Sequence, residues 1–339
     1  MPSLVYIHGR GLKPPPDIER KAWFDALNRG LARLSPPAHQ VADDDRFRLA
    51  YWSDVFYPPG ATEELAGLTD AQTAAIFALV GKFWQWRLPQ PAAPIIDEKT
   101  KQFEDNFVRD AIKFFGLGYE DSCAERLRGA LSAVPAGDPV MLVSHSFGTV
   151  LAYDVLVNAL PTLGVSIDTW VTMGTPLSWV VDLQARVPDW KQQLIVEVDQ
   201  GLQPVLASAR HALDSIGDAV RSRFGNPFGQ PGIAATVYRV PQKQFPPAGV
   251  DRWFNIYDPR DPVACAGGFS ALLGGLAVGS TFLYNDQQRA FDVNIRNDAC
   301  PASVAIADMR AHEDFNGYGQ CGQLAQLVVD FWQRSGGHS

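Results

Sequence analysis

The sequence predicts an α/β protein, a mostly parallel central sheet flanked by helices and carrying helical insertions. Three observations lead there. A wholly apolar run, Val140-Met141-Leu142-Val143, reads as a strand buried on both faces. It gives way, across Ser144-His145-Ser146-Phe147-Gly148, to the helical spacing of 149–156. A second strand, Ser3–Ile7, runs straight into the glycine turn His8-Gly9-Arg10-Gly11. The 339 residues suffice for one large α/β domain with insertions, and we read 1–339 as a single such domain.

Composition narrows the function classes. Apolar residues make up 46% and charged residues 19% of the chain, an ordinary globular balance. The net charge of −8, with no lysine/arginine block, speaks against a nucleic-acid binder or a cationic membrane-surface protein. The run Leu4-Val5-Tyr6-Ile7 is too short for the core of a secretory leader, and no apolar run is long enough to span a bilayer. Cys123, Cys265, Cys300 and Cys321 are scattered without a C-x-x-C pair, which disfavours zinc. We expect reduced, mostly buried thiols and a cytoplasmic protein; the alternative is one bridge, Cys300 to Cys321.

In chain order, Pro14-Pro15-Pro16 follows the first strand and turn, and Asp17 is placed to cap a helix that buries Trp23, Leu27 and Leu31. The next strand is expected at 48–52. From 58 to 118 two long helical patterns follow one another, separated by Pro89, Pro91 and Pro94. One carries Leu68, Ala75, Ile76, Leu79, Phe83 and Trp86, the other Phe103, Phe107, Ala111 and Phe114. Apolar faces this wide must bury against something. They read as a helical insertion packed on the sheet, or as a cap whose apolar face lines a hydrophobic substrate pocket. A helix at 122–131 precedes the apolar strand, and after the 149–156 helix comes a strand at 169–174 ending in Gly174-Thr175-Pro176-Leu177. Residues 185–250 form a second expected insertion and cap candidate, with a strand at 194–198, an amphipathic helix through Leu206, Leu213 and Phe224, and a strand at 236–240. A core strand at 253–257 and a final helix through Leu324, Leu327, Val328 and Phe331 complete the pattern.

Strand, tight turn and helix with a serine at the turn is the setting in which a G-x-S-x-G-like match carries meaning. Such a turn holds Ser146 in a strained backbone conformation with its hydroxyl at the sheet edge. The N–H groups that open the next helix favour an anion in the same space. The first glycine of the pattern is Ser144 here, a small residue at a position expected to pack closely against the departing helix; Gly148 is the second. In His8-Gly9-Arg10-Gly11 the glycines permit close backbone approach, and the Arg10 N–H can face a developing oxyanion.

A serine hydroxyl needs an adjacent base to become a nucleophile. Of six histidines, His8 and His145 sit inside the two motifs, His39 in a proline-rich linker, His211 in the second insertion and His338 at the tail. His312, just before the final helix, remains. Two aspartates end the 253–257 strand. Asp258, before Pro259, reads as a turn opener whose carboxylate accepts backbone N–H groups. Asp261 lies on the loop that can reach His312 and is the preferred acid.

The order Ser146, Asp261, His312, together with His8-Gly9, Ser144-His145-Ser146-Phe147-Gly148, Gly174-Thr175-Pro176-Leu177 and the Asp258–Asp261 turn, resembles the α/β-hydrolase superfamily, in its broad lipase/esterase group. The resemblance spans nearly the whole chain as spaced blocks and leaves out the two insertions. It implies an α/β-hydrolase fold and acyl transfer through a covalent intermediate. Ser146 would be the nucleophile, His312 the base, Asp261 the orienting acid, and the N–H groups of Phe147 and Arg10 the oxyanion hole. No metal or organic cofactor is expected. The expected substrate is a carboxylic ester with an apolar acyl group. The alternatives are a lipid, thioester or amide cleaved by the same triad, and a non-catalytic binding protein on the same fold.

Overall fold

A computed structural model describes residues 2–35, 44–58, 110, 119–177, 247–261, 263–264, 290–303 and 309–336. By its internal packing the chain divides into two compact units. One comprises Met1–Trp52, Cys123–Trp179 and Val237–Ser339, the other Ser53–Ser122 and Val180–Thr236.

Among the described residues, the first unit holds a six-stranded, all-parallel sheet: β1 (Ser3–Ile7), β2 (Phe47–Ala50), β3 (Val140–His145), β4 (Ile167–Met173), β5 (Val250–Tyr257) and β6 (Ala290–Asn294). Its spatial order is β2-β1-β3-β4-β5-β6. From β1 the chain steps outward to β2, then returns to the other side of β1 and proceeds β3 to β6 in the opposite direction. Right-handed crossovers therefore place the helices that follow β1 and β3 on opposite faces. The direction reverses between β1 and β3, the point at whose carboxyl ends open α/β sheets place their ligands. Ile7 pairs with Ser144 there, so the turns that start at His8 and Ser146 leave the sheet side by side.

On one face, α1 (Pro16–Ala32) and α4 (Gly322–Arg334) pack against the sheet. Trp23, Leu27 and Leu31 of α1 and Leu324, Val328 and Phe331 of α4 share a core with Leu4, Tyr6, Met141, Val143, Val171 and Ile256. The alternate sheet positions carry a hydrogen-bonded ladder. Trp170 and Trp253 stack at 4.2 Å, the indole N–H of Trp170 donates to Ser144 and that of Trp253 to Thr172. α3 (Gly148–Asn158), which follows β3, lies against β3 and β1. α2 (Tyr119–Ser132) buries Cys123, Leu127 and Leu131.

Two local expectations are corrected. The second strand ends at Ala50 rather than 52, because Trp52 leaves the ladder and its indole N–H donates to the His8 carbonyl at 2.9 Å. Asp17 does not cap α1: Pro16 occupies the first helical position, where a missing N–H costs nothing, and Asp17 lies within the first turn. Ser144, the small residue at the first position of the turn motif, places its hydroxyl between Trp170 Nε1 and the Val171 carbonyl. β6 was not foreseen. Cys123, Cys300 and Cys321 are buried, and the Cys300–Cys321 bridge is not formed.

Of the second unit, the described residues include one turn of helix, Ser53–Phe56, and Tyr57, whose hydroxyl donates to the Asp110 carboxylate at 2.9 Å. The cap helices expected within 58–118, and the helix and strands expected within 185–250, otherwise lie outside the described residues. Among the described residues no helix is long and apolar enough to cross a membrane.

Glu19, on the packed side of α1, is fully buried. Burial raises its carboxyl to about 7; Lys13 opposes the rise, Asp314 adds to it and Trp23 opposes it. Between the ordinary 4.5 and about 7, the folded protein therefore keeps a proton that the unfolded chain has released. Stability falls as pH rises through that window. Glu19→Gln, which cannot ionise, is expected to gain melting temperature over wild type as pH rises from about 4 to about 8. Melting curves at both ends check this, and an offset that ignores pH would contradict it.

Candidate active site

Ser146 sits at the tip of the turn between β3 and α3 with φ at 52°, the one non-glycine residue with positive φ among the described residues. That conformation costs about 1–3 kcal/mol and persists only where the surroundings enforce it. Here the Ser146 N–H donates to the Met173 carbonyl at 2.9 Å. Its carbonyl accepts from the Thr149 N–H at 3.0 Å and the Thr149 hydroxyl at 2.6 Å. Thr149 in turn bonds Thr175 of the Gly-Thr-Pro turn.

Three glycines make room for the site. A Cβ at Gly148 would come within 2.3 Å of the His8 carbonyl oxygen, so only glycine lets α3 begin against the end of β1. A Cβ at Gly9 would lie 2.9 Å from Ser146 Cβ, which brings the His8-Gly9-Arg10 turn onto the serine. A Cβ at Gly174 (φ 55°) would lie 2.9 Å from His312 Nδ1 and 3.0 Å from Asp261 Oδ2.

Into that space come Ser146, His312 and Asp261. His312 Nε2 lies 2.8 Å from Ser146 Oγ, and His312 Nδ1 lies 2.8 Å from Asp261 Oδ2. With the carboxylate accepting from Nδ1–H, Nε2 is the acceptor for the serine hydroxyl. Asp261 is fully buried and its two oxygens have separate duties. Oδ1 accepts from the N–H groups of Val263 at 2.8 Å and Ala264 at 3.2 Å, whereas Oδ2 accepts from His312 and from the Tyr318 hydroxyl at 2.8 Å. Burial, with Asp261 next to it, raises the Tyr318 phenol well above its ordinary value and keeps it a donor.

Asp258, the alternative acid, is placed elsewhere. It forms a buried ion pair with Arg260, accepting from Nε at 3.0 Å and Nη2 at 2.6 Å, and also accepts the Arg260 and Asn297 backbone N–H groups. Arg260 reaches on to the Pro301 carbonyl. This pair ties the end of β5 to the segment after β6.

His8 is structural. Its Nδ1–H donates to the Gly9 carbonyl at 2.7 Å, its Nε2 accepts the Trp52 N–H at 3.0 Å, and its ring stacks on Trp52 at 10°. Burial lowers its imidazole to about 3, with Lys13 adding to the fall, so the ring is neutral. Arg10 follows Gly9 in the turn packed on Ser146. Phe147 follows Ser146 and is the N-cap of α3, whose positive dipole end faces the turn.

Sequence reasoning missed three contributors. Tyr318 orders Asp261, as described. Asn297 Nδ2 donates to the carbonyls of Ala311 and Glu313 at 2.9 and 3.1 Å, clamping both neighbours of His312. Lys13 bridges to Asp314 at 3.2 Å, joining the glycine turn after β1 to the His312 loop. Against the cost of burial, Lys13 holds Asp314 below the usual carboxylate range. A nearby Gly317 signals the Asn297 clamp, since a Cβ there would collide with the amide; Tyr318 carries no local signal.

Comparison with protein-family models, curated proteins and solved structures finds no match to this chain.

Proposed function

We propose that this protein is a serine hydrolase of the α/β-hydrolase fold that cleaves carboxylic esters through an acyl-enzyme. The observation that carries the reading is the Ser146–His312–Asp261 relay, with 2.8 Å at each link and the serine held at φ 52° on a strand-turn-helix. Hydrogen-bonded nucleophile, base and orienting carboxylate meet the geometric requirement for this chemistry. The topological switch between β1 and β3 supports the fold assignment.

In this mechanism Ser146 Oγ attacks the carbonyl carbon as its proton passes to His312 Nε2. Asp261 holds the resulting imidazolium in register. The tetrahedral oxyanion is received by the N–H groups of Phe147 and Arg10, each such donor contributing about 3–4 kcal/mol of transition-state stabilisation. Collapse expels the alkoxide, which takes the proton from His312. Water then attacks the acyl-enzyme by the same route, releasing the acid and regenerating Ser146. The chemistry calls for no metal or organic cofactor. Aromatic residues of the 58–118 region, such as Phe83, Trp86, Phe107 and Phe114, support an apolar acyl group. The unformed Cys300–Cys321 bridge supports a cytoplasmic location.

Hydrolysis of a homologous series of p-nitrophenyl esters, beside a matched thioester and anilide, tests the reading. Ester cleavage with kcat/KM rising with acyl length is expected. Preference for the thioester or anilide would move the substrate class, and no turnover of any of them would contradict the enzyme reading.

A further inference from the structure

His145 takes no part in the relay, yet its ring lies directly against it. The residue ends β3, pairs with Met173 and is buried. Its imidazole stacks on that of His312, with centroids 4.9 Å apart and planes 30° from parallel. Trp23 of α1 stands 6.0 Å and Tyr318 5.8 Å from the His145 ring, and a Cβ at Gly9 would lie 3.1 Å from its Nδ1. The ring is thus enclosed by α1, by the turn after β1 and by the segment before α4.

His312 has a need that such a surface meets. Its hydrogen bonds to Ser146 and Asp261 leave from opposite ends of the ring. With the tether through Cβ they fix where the ring sits, but the breadth of hydrogen-bond angles still tolerates small tilts about the line through its two nitrogens. A flat, closely packed neighbour narrows this tolerance. We propose that His145 is a positioning residue for His312, a neutral imidazole whose fixed face sets the plane of the base between Ser146 and Asp261. The proposal rests on the serine-hydrolase reading above.

Charge fits the role. The titratable and charged groups facing His145 are His312, Asp314, Lys13 and Tyr318. Burial and the adjacent His312 push its pKa well below the ordinary histidine range; Asp314 pulls the other way, Lys13 adds to the lowering and the His312 backbone opposes it. The base can therefore become an imidazolium during turnover without a second cation stacked on it.

The test compares His145→Ala and His145→Leu, which remove the flat face, with His145→Phe, which keeps it. Leu also retains volume, for the case in which Ala does not fold. The probes are the rate of Ser146 labelling by a fluorophosphonate, kcat and KM on an ester, and the His312 ring resonances in a ¹³C-histidine-labelled protein followed against pH. We expect Ala and Leu to lower labelling rate and kcat about 10- to 100-fold with KM little changed, and Phe to restore them to within about threefold of wild type. The His312 resonances and their titration should move in Ala and Leu and return towards wild type in Phe. Folded Ala or Leu variants with wild-type labelling, kcat and His312 resonances would overturn the positioning role and leave the hydrolase reading intact. Equal labelling of wild type and Ser146→Ala would overturn both.

Discussion

Ser146→Ala is expected to fold as wild type does and to lose kcat by a factor on the order of 10⁴–10⁶. The fold is spared because alanine keeps the Cβ that packs beside Gly9 and changes neither the φ of 52° nor the backbone bonds to Met173 and Thr149. What disappears is the oxygen that faces His312 Nε2 at 2.8 Å. On the proposed mechanism no acyl-enzyme then forms, and the proposed oxyanion donors would sustain the residual rate. Turnover measured beside a melting curve checks both halves. A folded variant with near-wild-type kcat would remove Ser146 from the mechanism.

Asp261→Asn is expected to cost about 10⁴-fold in kcat, through the wrong histidine tautomer. The hydrogen bonds dictate how the amide must sit. The N–H groups of Val263 and Ala264 both donate to Oδ1, so the asparagine carbonyl must take that place. Its NH₂ group then replaces Oδ2 and faces His312 Nδ1, which must accept. The imidazole proton moves to Nε2, and the base can no longer receive the serine proton. Asp258→Asn should do the reverse. Every partner of the Asp258 carboxylate is a donor, so either amide orientation opposes one, and the Arg260 charge is left buried. Breaking such a pair costs about 3–5 kcal/mol of stability. The loss should appear in denaturation far more than in kcat of the folded protein. If Asp258→Asn proved the slower enzyme, the two aspartates would exchange roles.

The parts of the fold that were legible in the sequence are those in which pattern and chemistry are local. A continuous apolar run ending in a serine turn marks β3, and the glycine turn marks the end of β1. The Ser146, Asp261 and His312 candidates could be selected because each sits at a strand end or just before a helix. Their meeting is a consequence of sheet order, which no single stretch encodes. β6 stayed hidden because Phe291-Asp292-Val293-Asn294 is a short strand, last in the order of the described strands, whose signal is weak alternation. Trp52 looked like strand and is a hydrogen-bond partner of His8 instead. Asn297, Tyr318 and the stacked His145 act across the tertiary structure on residues 14, 57 and 167 positions away, and side-chain identity alone does not reveal such partners.

Covalent labelling by a fluorophosphonate, wild type beside Ser146→Ala, with the modified peptide identified by mass spectrometry, tests the central claim most directly. An activated serine predicts modification confined to Ser146 in the folded wild type and lost in the variant. A folded wild-type protein that takes no label, or takes it at another residue, would contradict the account.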